Sequence, residues 1–61
     1  MIYEISADYA PPIGDVRELS AGDELHLMQG WKQREDWIRY LAAVAHAMAR
    51  GCIIRQGADL G

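Results

Sequence analysis

The sequence contains no phenylalanine, a single cysteine and only two prolines among 61 residues. One cysteine excludes an internal disulfide, the usual staple of small secreted domains, and points to a reducing compartment. No cationic segment followed by an apolar run opens the chain, so no secretory signal is expected. The longest apolar-rich stretch, Leu41 to Ala49, is interrupted by His46. It falls far short of the ~20 residues that span a membrane, so no membrane partner is expected. Gly14, Gly22 and Gly30 stand isolated, with no Gly-Lys-Ser or Gly-Lys-Thr to build a phosphate loop.

Length adds a further limit. A chain this short makes one domain, here residues 1–61 with 57–61 as a frayed tail. Such a domain buries only ~60% of its unfolded surface, and a catalytic cleft of ~300 Å³ or more is hard to fit. Half of the residues (51%) are apolar and 25% are charged, which argues against disorder.

The net charge of −3 is unevenly spread. Glu4, Asp8, Asp15, Glu18, Asp23 and Glu24 face Arg17 alone in residues 1–30, a local balance of −5. Lys32, Arg34, Arg39, Arg50 and Arg55 outweigh Glu35, Asp36 and Asp59 in residues 31–61, a balance of +2.

Residues 2–9 alternate, with Tyr3, Ile5, Ala7 and Tyr9 on one side and Ile2, Glu4, Ser6 and Asp8 on the other. That pattern predicts a half-buried strand, ended by Pro11-Pro12. Residues 13–30 admit two readings. Ser20 and Asp23 fit a helix start, and a short helix over 21–29 is the preferred reading. Leu25, Leu27 and Gln29 also alternate, as in a turn between two short strands. Gly30 breaks the pattern.

From Lys32 to Arg50, Trp37, Leu41, Val44 and Met48 recur at helical spacing, with Ile38 and Ala45 beside them. Gly51 suits a C-cap, and Cys52 to Arg55 reads as a strand pairing with the first. The expected fold is α+β. A two- or three-stranded antiparallel sheet packs on one long C-terminal helix, with a short extra helix as a variant. Trp37, Ile38, Leu41, Val44, Ala45 and Met48 are expected to face Tyr3, Ile5, Tyr9 and Ile53 or Ile54.

Chemistry-bearing residues are sparse. His26, His46 and Cys52 are the soft metal ligands, and their spacing matches no zinc signature. Cys52 opens an apolar strand, where a free thiol behaves as a small hydrophobe. No catalytic residue, metal or cofactor is therefore assigned. The segment from Trp31 to Tyr40 interleaves Lys32, Arg34 and Arg39 with aromatic residues, a pattern that can hold nucleic acid. Glu35 and Asp36 neutralise it locally, and binding to phosphates needs unpaired cations. The alanines at 42, 43, 47 and 49 offer a helix back for self-association.

In size, acidity and lack of catalytic signals, the chain resembles the small inhibitors encoded by phages and mobile elements, anti-CRISPR proteins above all. The resemblance concerns general character and no motif. It implies a non-enzymatic protein in the cytoplasm of a bacterial host cell. There it would block a larger protein or nucleoprotein complex by occupying a basic surface, including one made for nucleic acid. The expected contact residues are Glu4, Asp8, Asp15, Glu18, Asp23 and Glu24. Two alternatives are a helix-turn-helix-like DNA-binding regulator using Lys32, Arg34 and Arg39, and a self-associating accessory subunit or homodimer.

Overall fold

The computed structural model describes residues 1–57. Strand β1 (Ile2–Ile5) leads to helix α1 (Ile13–Arg17), and strand β2 (Glu24–Leu27) leads through a 3₁₀ turn (Trp31–Gln33) to helix α2 (Trp37–Ala49). Strand β3 (Ile53–Gln56) follows. The frayed tail expected over 57–61 lies, apart from Gly57, outside the described residues.

The sheet has the order β1-β2-β3, and both pairings are parallel. The expected antiparallel sheet on a long C-terminal helix is thus corrected, while the mixture of helices and strands stands. A strand that meets its neighbour through a helical crossover arrives in the same direction. Here each neighbouring pair has such a crossover. Crossovers are right-handed almost without exception. In the order β1-β2-β3 that rule places α1 and α2 on the same face of the sheet, and the two helices pack against each other.

Several boundaries differ from the expectation. The first strand ends at Ile5 because Ser6 closes a turn. Its Oγ accepts hydrogen bonds from the backbone N–H groups of Asp8 and Tyr9 at 3.3 and 3.1 Å. Its own N–H donates to the Tyr9 carbonyl at 2.7 Å. The helix expected over 21–29 is absent. Residues 20–23 instead form a turn, with the Ser20 N–H bound to Asp23 Oδ2, and Leu25 and Leu27 alternate inward as strand residues. The sheet pairs made by β2 outweigh the helix preference of Glu, Leu and Met. The last strand pairs with β2, not with the first strand.

The long helix begins at Trp37, not near Lys32. Arg34 supplies the reason. Its guanidinium holds Asp36 through Nε at 2.9 Å, reaches back to the Ser6 carbonyl at 3.2 Å, and lies over the Tyr40 ring at 5.6 Å. Asp36 therefore makes no side-chain cap, and the preceding residues leave the helical path. Trp31 and Trp37 meet edge to face across this junction, 6.2 Å between ring centres. The helix ends as expected. Gly51 takes a φ of +96°, and its N–H donates to the Met48 carbonyl.

The core consists of Ile5, Leu25 and Leu27 from the sheet, Val16 and Leu19 from the first crossover, and Trp31 and Cys52 from the connections. Helix α2 contributes Tyr40, Ala43, Val44 and Ala47. The expected helix face is therefore rotated. Ile38, Leu41, Ala45 and Met48 are exposed, Trp37 is half-buried, and Tyr9 and Ile53 are exposed. Ala43 and Ala47 are buried almost completely, and their small side chains suit the close packing of α2 against α1. Those two alanines are thus core and not a free helix back, whereas Ala42 and Ala49 are exposed.

Tyr40 ties α2 to the first crossover by donating its hydroxyl to the carbonyl of buried Pro11. Tyr40→Phe removes that donor and leaves the carbonyl unpaired, so a loss of about 1–2 kcal/mol in urea unfolding is expected. A variant as stable as the parent would show that this bond contributes nothing.

Candidate interaction surface

The six acidic residues singled out in the sequence do not form one patch. Asp23 lies 3.6 Å from the N-terminal ammonium and accepts the Ser20 N–H. Glu24 projects from the sheet beside His26 on its own strand and Arg55 on β3. Its Oε1 lies 3.1 Å from His26 Nε2 and 3.1 Å from Arg55 Nε. His26 and Arg55 hold the Glu24 carboxyl below its usual value of 4.5, the His26 hydrogen bond contributing most. Both residues are therefore compensated within the chain. The remaining four, Glu4, Asp8, Asp15 and Glu18, are exposed and have no ion-pair partner among the described residues.

These four follow β1 and the first crossover. β1 is an edge strand, so the backbone groups on its outer side have no sheet partner among the described residues. Along it runs an open hollow of about 570 Å³. Ile2, Tyr3, Glu4, Tyr9, Pro12 and Asp15 are among its walls. Tyr9 is exposed because the Ser6 turn swings it out of the strand line. Asp8 lies next to it in that turn, and Glu18 follows Asp15 by three residues at the end of α1.

The basic residues of the alternative reading are also divided. Arg34 is committed to Asp36, Ser6 and Tyr40, and the Asp36 hydrogen bond is the main cause that raises its pKa above the ordinary arginine value. Lys32 and Arg39 are exposed. The segment before Gly30 is strand β2, so the first helix of a helix-turn-helix is missing.

Two surfaces were not singled out in the sequence. One is a groove of about 290 Å³ between α2 and β3, with Leu41, Met48, Ile54 and Lys32 among its walls. The other is the face of the sheet turned away from both helices. It carries two rows, Ile2–Glu24–Ile53 and Glu4–His26–Arg55, as the strand registers dictate. Ile2 and Ile53 stand at its corners, 60% and 50% exposed. An alternation of exposed apolar and charged residues on β1 and β3 was the available signal. It was legible only once β2 was recognised between them.

Cys52 is buried, and burial raises its thiol pKa, with Asp23 and Glu24 adding to the shift. Its Sγ lies near the Asp23 and Ile53 carbonyls. Among the described residues, no three of His, Cys, Asp and Glu gather closely enough to hold a metal ion, and no helix is long and apolar enough to cross a membrane. No family model, no curated protein and no solved structure matches this chain.

The Glu24 cluster has a pH signature. A carboxyl whose pKa falls on folding adds stability above its unfolded value of 4.5, and that stability is lost as pH drops through the lower folded value. Glu24→Gln should lower the melting temperature at about pH 7, and the gap from the parent should narrow steadily as pH falls below 4.5. A gap independent of pH would disprove the charge-based account.

Proposed function

We propose that this chain is a non-enzymatic binding protein that docks on a basic surface of a larger protein or nucleoprotein complex and blocks it. The contact runs along the outer edge of β1 and the first crossover, through Asp8, Asp15 and Glu18, with Glu4 at its margin. The observation that carries this reading is the separation of the carboxylates. Asp23 and Glu24 are compensated internally, whereas the other four lie exposed, with Glu4 and Asp15 lining the hollow along β1.

The chemistry of that edge suits an extended basic segment of the partner. An incoming strand gains main-chain hydrogen bonds from β1, and the carboxylates select lysine and arginine side chains. Tyr9 and Pro12 provide apolar contact within the same hollow. Attraction between exposed charges steers the encounter and is screened by salt. Direct binding of nucleic acid by residues 31–40 has less support, because Arg34 is already occupied within the fold.

The reading is tested with a lysine- and arginine-rich decapeptide of strand-forming composition, titrated into the isotope-labelled chain. Amide shifts are expected at Ile2–Ile5, Tyr9 and Asp15, fading at about 0.5 M salt. The triple variant Asp8→Lys, Asp15→Lys, Glu18→Lys should bind at least tenfold more weakly while keeping its amide dispersion. Shifts that survive the reversal, or that map to α2, overturn the assignment.

A further inference from the structure

Parallel sheets are found almost always with both faces covered. In this chain both crossovers use one face, and no described residue covers the other. We propose that this uncovered face binds a second copy of the chain, forming a two-fold dimer whose axis runs parallel to the strands and over β2.

The residue rows carry the argument. A two-fold axis in that direction keeps the strands of both copies aligned and reverses their order, so β1 of one copy lies over β3 of the other. Ile2 then meets the second copy's Ile53, and Glu4 meets its Arg55. Each contact occurs twice by symmetry. Glu4 has no ion-pair partner among the described residues. Arg55 uses Nε toward Glu24, and its terminal nitrogens have no hydrogen-bond partner among the described residues. Glu4 thus keeps an uncompensated charge within one copy, and across the dimer the Arg55 guanidinium can bridge it to Glu24. On the axis itself Glu24 faces the second copy's Glu24, a like-charge meeting softened because His26 and Arg55 hold each carboxylate within its own copy. An axis across the strands matches the rows less well, because it sets Ile2 against Glu4 and Ile53 against Arg55.

Size limits the dimer to weak, reversible association. The sheet is three strands of 4 residues each. At ~3.3 Å per residue and ~4.8 Å between strands its face covers about 200 Å², well below the ~800 Å² per partner of a standard stable interface. Association is therefore expected only at high concentration, with a dissociation constant of roughly 1 mM. Glu4 is shared with the contact proposed above, whereas Arg55 and Ile53 lie outside it, so the Arg55 variant and the Ile53 contacts test the dimer apart from that function.

Sedimentation from 10 µM to 1 mM reads the association, with circular dichroism confirming that each variant is folded. Glu4→Arg alone and Arg55→Glu alone should each weaken self-association at least tenfold. An equimolar mixture of the two variants should recover it, because every cross-pair is then oppositely charged. Isotope-filtered NOEs on the parent chain provide a second readout that needs no substitution. Contacts are expected between the Ile2 and Ile53 methyl groups of different copies. A parent that is monomeric at 1 mM overturns the proposal. So does a mixture that fails to recover association, or a dimer whose intermolecular NOEs fall on Leu41 and Met48.

Discussion

The arrangement depends on one constraint, that neighbouring parallel strands must be joined by crossovers of one hand. With three strands in chain order, both crossovers fall on the same side of the sheet. All apolar packing then concentrates on that side. Tyr3, Ile5, Leu25, Leu27 and Ile54 turn toward the helices, and Ile2, Glu4, Glu24, His26, Ile53 and Arg55 turn away. The molecule has an interior on one side of its sheet and a surface of mixed character on the other.

Small and polar residues then determine how tightly the helical side closes. Ala43 and Ala47 bring α2 close, and Tyr40 binds the Pro11 carbonyl at the far side of the first crossover. Arg34 joins the Ser6 turn to the start of α2 through three separate contacts. A residue that reads as a nucleic-acid contact is thereby a tie between distant parts of the chain. The same logic divides the acidic residues. Those near β2 find cations brought by folding, and those along β1 and α1 keep their charge toward solvent. The acidic character of the first half survives folding at one edge.

The local signals were legible where a residue's own neighbours decided its state. Alternation marked Ile2 to Ile5, helical spacing marked Trp37 to Ala49, and glycine marked the break at 30 and the cap at 51. The middle strand was the failure. Four residues, Glu-Leu-His-Leu, carry too little pattern to separate a strand from a helix turn, and their helix preference pointed the other way. Losing that strand removed the crossover logic, and with it the parallel direction and the correct helix face. The stripe Trp37–Leu41–Val44–Met48 is apolar whichever way the helix rolls. Its neighbour Ala43–Ala47 is the one that is fully buried, and the close approach of α2 to α1 suits the smaller side chain.

The candidate surface divides in the same way. Exposure of Asp8, Asp15 and Glu18 followed from their own sequence surroundings, since charged residues in turns and on a short helix have water as their natural neighbour. The pairing of Glu24 with Arg55 joins residues 31 apart, and no local pattern encodes it. The sequence by itself determined where the chain alternates, where it coils, where it breaks and how much charge it carries, because those properties depend on near neighbours. Tertiary structure alone decided the order and direction of the strands, which side of α2 is buried, and which carboxylates remain uncompensated. Those outcomes depend on contacts between residues far apart in the chain, and their geometry is set by the hand of the crossovers.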